Sequence, residues 1–165
     1  MGLGGIHSRA LWYVALIFVA WLTVVSLINK QLLICALGSL ATDFGPPTRD
    51  EDGGSGETDD QEAKKCIAEA QQYFAAAQKR VGICLGKLGI LEAQCFFYCG
   101  VYHVTMMQPE AAWTMFLQAL ASCQNFQCLT PTESEDNHSP EVEFEGNSLA
   151  VAEECTYWTC LKSEL

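Results

Sequence analysis

From Ala10 to Asn29 the chain reads ALWYVALIFVAWLTVVSLIN without one charge, and after Lys30 a second uncharged run continues from Gln31 to Thr42. Twenty residues of α-helix rise about 30 Å, the thickness of a bilayer core. A segment of this kind must find apolar surroundings, and three readings of it stand open. Residues 10–29 have the length of a single membrane-spanning helix, with Trp12 and Tyr13 as interfacial aromatics and Trp21 too deep for a regular belt. A cleaved signal peptide fits less well, because the run is long and no clear small-x-small site follows it. The third reading is a segment buried in protein or foreign to the rest of the chain. Orientation is undecided, since Arg9 stands before the run and Lys30 after it. The start MGLGGI departs from the myristoylation pattern, having Ile6 where Ser or Thr belongs.

Outside this front end the composition changes. The formal net charge is -11, and much of the acid is concentrated in two stretches. Between Asp43 and Glu62 lie eight acidic residues against Arg49 alone, interspersed with Gly45-Pro46-Pro47 and Gly53-Gly54-Ser55-Gly56. Such a stretch buries too little apolar surface to offset its ordering entropy. Disordered acidic loops are therefore expected at 43–60 and 130–147. With nine Lys and Arg in all, the chain has no basic footprint for a phosphate backbone, so direct DNA binding is not expected.

Between and beyond the loops the periodicity is helical, which predicts an all-α fold. One helix is expected from about Asp60 to Arg80, with acids in its first turn, Lys79 and Arg80 in its last, and an apolar face of Ala63, Cys66, Ile67, Ala70, Tyr73, Phe74, Ala77 and Val81. Gly82, Gly86 and Gly89 predict a turn or a weakened helix. A second helix, about Ile90 to Met107, is apolar nearly all round and carries only Glu92 as a formal charge, which marks it as the most buried element. Gln108-Pro109 ends it and opens a third, to about Gln127, with Trp113, Phe116, Leu117, Leu120 and Cys123 inward. So short a connection makes an αα-hairpin. One hairpin could pass for a single tetratricopeptide-like unit, but no second copy recurs at a repeat period. At the end of the chain Val151, Cys155, Trp158, Leu161 and Leu165 recur at helical spacing, an apolar stripe that needs a partner surface and has no stop signal after it.

Nine cysteines raise disulfide and zinc readings, which the spacings disfavour. There is no Cys-x-x-Cys, and all but Cys128 sit in apolar helical patterns where a thiol packs as a small hydrophobe. Cys95, Cys99 and His103 fall at i, i+4 and i+8 on one face. Neighbours in that set could share an ion, but all three span about 12 Å of helix, too far for one. A core histidine beside small thiols is the plainer reading. No nucleophile elbow, phosphate loop or His-Glu-x-x-His pair occurs, and the carboxylates lie mainly in the linkers. No catalytic, cofactor-binding or metal-binding residue is nominated, and no enzyme activity is expected.

Four stretches in order carry a resemblance. They are LLICALGSLATDF at Leu32 to Phe44, EAQQYFAAAQKRVG at Glu69 to Gly82, LEAQCFFYCGVYHVTMMQPEAAWTMFLQALASCQ at Leu91 to Gln124, and YWTCLKSEL at Tyr157 to Leu165. Within them stand "ALG", "A-x-x-YF-x-x-A", "Q-x-x-x-x-x-G-x-Y" followed by "P-x-x-AW", and "YW-x-C-x-K-S-E". The order resembles the central regulatory domain, or middle homology region, of fungal binuclear zinc-cluster transcription factors. The resemblance implies a helical regulatory domain over residues 31–165, a nuclear location and action through protein contacts or self-association. It departs from the family in lacking the six-cysteine DNA-binding cluster, its basic linker and coiled coil. Residues 1–30 have no counterpart in it, and the terminal helix breaks off where the family continues, so a truncated regulatory domain is expected. The alternative is a single-pass membrane protein with a small helical domain.

Overall fold

The computed structural model describes residues 4–41, 56–129 and 143–163, with side-chain surroundings over 12–41, 61–129 and 148–163. Five α-helices account for nearly all of it, and among the described residues there is no strand. The helices are α1 (Gly4–Ala41), α2 (Gly56–Cys84), α3 (Ile90–Thr105), α4 (Pro109–Ser122) and α5 (Glu143–Lys162), with a short 3-10 turn at Gln127–Leu129. The fold is all-α, a partial bundle from which the apolar front of α1 stands apart.

Helix α1 runs unbroken across Lys30, and its two halves have different surroundings. Every side chain from Trp12 to Trp21 is exposed. From Ser26 onward the helix enters the bundle, burying Ser26, Asn29, Leu33, Ala36 and Leu40 at alternating steps of 3 and 4. Helix α2 answers with Ala70, Phe74, Ala77 and Cys84, on the same rhythm with half-buried Val81 filling the gap. Alternation of 3 and 4 is the seam of two helices packed lengthwise, and the alanines on both sides let the backbones approach. The Ser26 hydroxyl lies 3.8 Å from Cys84 Sγ, so the far end of α2 returns to the middle of α1 and the pair is antiparallel.

Helix α3 touches each of the other four helices. It buries Ala93, Cys95, Phe96, Cys99, Gly100 and Tyr102, as an element apolar on all sides should. The turn into α4 is tight: Gln108 N–H donates to the His103 carbonyl at 2.8 Å, and Met107 takes the left-handed region at φ 56°. Pro109 then opens α4, where its missing N–H costs nothing. At the hairpin's centre the Phe116 ring lies against Gly100 so closely that a methyl group there would strike it. The far ends are tied by Gly89 N–H donating to the Ser122 carbonyl at 3.1 Å.

Several expectations are corrected. The central parts of the acidic stretches lie outside the described residues, but 56–60 and 143–147 open α2 and α5 rather than belonging to loops. Helix α2 continues through Gly82 to Cys84 and ends before Gly86, whose φ of +77° stops the helix. Lys79 and Arg80 therefore stand a turn before its end. Helix α3 stops at Thr105 and α4 at Ser122, each short of the expected bound. On α4, Trp113 and Leu117 face outward while Ala112, Phe116, Ala119 and Cys123 face in, because α3 covers only one side. On α5 the inward positions are Thr156 and Cys160, and Val151, Cys155 and Trp158 are exposed. On α2, Ile67 and Tyr73 are likewise exposed, at the margin of a face that α1 covers only along its centre.

Candidate functional site

The bundle's polar interior is concentrated where α1, the end of α2 and the first turns of α3 converge. The seam spacing turns Ser26 and Asn29 inward from an otherwise apolar helix. The Gly86 turn brings Lys87 and then Glu92 back beside them. Ser26 donates to Glu92 Oε1 at 3.3 Å, Lys87 Nζ stands 3.9 Å from the same oxygen, and Lys30 Nζ donates to Gln94 Oε1 at 2.7 Å. Asn29 is fully buried, and among the described residues neither atom of its side-chain amide has a hydrogen-bond partner.

Two thiols complete this junction. Cys95 Sγ donates to the Ser26 carbonyl at 3.6 Å, while Cys84 Sγ lies 3.8 Å from the Ser26 hydroxyl. The two thiols act on each other, which divides their acidities. The neighbouring Cys95 thiol brings the Cys84 thiol down to about 7 against the opposing effect of burial, helped by Ser26 and Lys87 and opposed by Glu92. Cys95 moves the other way, through its bond to Cys84 and through burial. Neighbouring Cys99 is pushed up to about 12 by burial and by the charge of Cys84. A second pair, Cys123 and Cys160, meets between the end of α4 and α5. There the effect of each thiol on the other raises Cys123, with burial adding to it, and lowers Cys160.

The weighed trio Cys95, Cys99 and His103 divides in the same way. Both thiols are core, and His103 is half-buried at the hairpin turn, its Nδ1 2.8 Å from Gln108 Oε1 and its ring edge-on to Phe74 at 5.1 Å. Among the described residues no three His, Cys, Asp or Glu side chains are placed to hold a metal ion. An open groove of about 220 Å³ between α3 and α5 is lined by Gln94, Phe97, Tyr98, Thr156, Thr159 and Cys160, without a charged side chain. No family model, no curated protein and no solved structure matches this chain.

Two parts of the exposed apolar surface bear on the readings above. The larger is the front of α1, part of the one described helix long and apolar enough to cross a membrane, with mean hydropathy 2.0 over Trp12–Ala41. The smaller consists of Trp113 and Leu117 on α4 and Val151 and Trp158 on α5. Sequence reasoning missed the polar junction. Ser26 and Asn29 are single polar residues in an apolar run, and Cys84 and Cys95 are paired across a turn rather than by a motif. The 3-and-4 spacing that carries Ser26 and Asn29 inward was the available signal.

Proposed function

We propose that this chain is a helical protein-interaction module of transcription-regulator type, working through protein contacts rather than catalysis or direct DNA binding. The supporting observation is that residues singled out by the resemblance, though far apart in sequence, pack on one another. Phe74 of "A-x-x-YF-x-x-A" stacks on Tyr102 of "G-x-Y" with ring centroids 3.8 Å apart and planes 6° from parallel. Gly100 of the same motif receives Phe116, which follows "P-x-x-AW". In this reading the motifs record how α2, α3 and α4 fit together. Trp113 and Trp158, each in a motif and each about half exposed, are left as contact residues for a partner. Exposed aromatics of this kind dominate protein interfaces when a partner buries them.

The test is a fusion of the full chain to a heterologous DNA-binding domain in a fungal reporter strain. A nuclear fusion that changes reporter output, with the change lost in the Trp113→Ala, Trp158→Ala double variant at equal expression, supports the reading. An unchanged reporter from a folded, nuclear fusion refutes it. A second reading, a membrane-anchored helical domain, is favoured by the exposed apolar front from Trp12 to Trp21. Carbonate extraction decides it, since release of the chain into the soluble fraction excludes a spanning helix.

A further inference from the structure

Helix α2 rests mainly on α1 and helix α3 mainly on α4, whereas α2 and α3 touch each other little. The bundle therefore consists of two hairpins joined through α1 and α3, with the Leu85–Gly89 turn as the covalent corner between them. Cys84 closes one side of that corner and Cys95 stands one turn into the other. Both sulfurs converge on Ser26, one through its hydroxyl at 3.8 Å and one through its carbonyl at 3.6 Å. Both thiols are buried, and the turn beside them is open, with Leu85 and Leu88 about half exposed. We propose that Cys84 and Cys95 are a redox-active dithiol that closes to a disulfide with hydroperoxide as oxidant, stapling the two hairpins at their corner.

The chemistry assigns the two sulfurs different parts. Cys84, the more acidic thiol, supplies the thiolate. It attacks one peroxide oxygen, forming an S–O bond as the O–O bond breaks, and the departing hydroxide takes up a proton to become water. Cys95 then attacks the Cys84 sulfenic sulfur. The S–S bond forms, the S–O bond breaks, and the second hydroxide leaves as water with the Cys95 proton. Two thiols and one hydrogen peroxide give one disulfide and two waters, and a dithiol reductant reverses the change. Ser26 holds both sulfurs in register. Cys99, still protonated at neutral pH, stays outside the reaction.

The purified full chain, treated for increasing times with hydrogen peroxide in excess over its nine thiols, alkylated under denaturing conditions and digested with trypsin and chymotrypsin, reads this directly. The expected product, with chymotrypsin cutting after aromatic residues, is Val81–Lys87 linked to Leu88–Phe96, removed by dithiothreitol, forming about tenfold faster than any link through Cys99. Cys95→Ser is expected to stop at a Cys84 sulfenic acid that dimedone traps. Cys84→Ser is expected to leave Cys95 alkylatable. Should a variant fail to fold, the wild-type peptide map decides alone. Both thiols still alkylatable after the exposed Cys35, Cys128 and Cys155 are oxidised, or Cys84 linked to any cysteine other than Cys95, would overturn the proposal.

Discussion

The two halves of α1 have similar composition and opposite surroundings. From Trp12 to Trp21 the helix is apolar on every side and every side chain is exposed, while from Ser26 to Leu40 it places one narrow stripe against α2 and α3. Hydropathy alone does not separate them, since one window covers both. What separates them is side-chain size and rhythm. The back half sets Ser26, Asn29, Leu33, Ala36 and Leu40 at seam spacing opposite the small side chains of α2, so the backbones can close on each other. The front half carries Trp12, Tyr13, Phe18 and Trp21 around its circumference, and no single face could be covered by one partner helix. Apolar content makes a helix need cover, and the spacing of small residues decides whether protein can supply it.

Matched substitutions in the two halves sharpen this contrast. The largest difference is expected between Leu33→Asp and Ile17→Asp. The first puts an unpaired charge at a position with no solvent exposure, costs several kcal/mol (about 3 or more) and abolishes the cooperative melt; the second leaves domain stability within about 0.5 kcal/mol in a denaturant titration. Next, Ala36→Phe overpacks the seam at a cost of about 1–3 kcal/mol, whereas Ala20→Phe on the exposed front is close to neutral. A smaller effect of opposite sign is expected at Asn29. Asn29→Leu removes two buried polar atoms that lack partners and raises stability by about 1 kcal/mol, while Thr23→Leu, whose hydroxyl only bonds the Val19 carbonyl of its own helix, changes little. Equal responses within any of these pairs would break the distinction.

The junction that the back half builds also carries a pH dependence. Cys84 is faced by Ser26 of α1, by Lys87 in the turn, and by Glu92, Cys95 and Cys99 of α3. Its acidity is raised, so the thiolate forms as pH rises through about 7. The rate of peroxide-driven closure should accordingly climb between about pH 6 and 8 and level off above, well before an unperturbed thiol would do so. A profile that keeps rising through pH 9 would show that Cys84 has ordinary acidity.

Much of the architecture is legible in the chain. Gln108-Pro109 marks the hairpin turn, and the nearly charge-free stretch from Ile90 marks the helix that every other helix touches. What resisted reading is which side of a helix finds a neighbour. On α4 and α5 the large apolar residues Trp113, Leu117 and Trp158 point outward, and apart from Phe116 the buried contacts are made by small residues such as Ala112, Ala119, Thr156 and Cys160. A stripe shows where apolar atoms lie, whereas coverage depends on how many helices arrive, and small residues permit the closest approach. The thiol junction was hidden for a related reason. Its two sulfurs meet because Gly86 turns the chain back, and no linear spacing of cysteines announces that.

The claim that α1 is core behind Ser26 and undocked ahead of it can be tested by deletion. A chain lacking residues 1–21, melted beside the full-length protein under the same conditions, should keep a cooperative transition with its midpoint shifted by no more than about 2–4 °C, the equivalent of roughly 1 kcal/mol in a domain of this size. Loss of the cooperative transition in that deletion would show that the front of α1 is part of the fold, and would contradict the account.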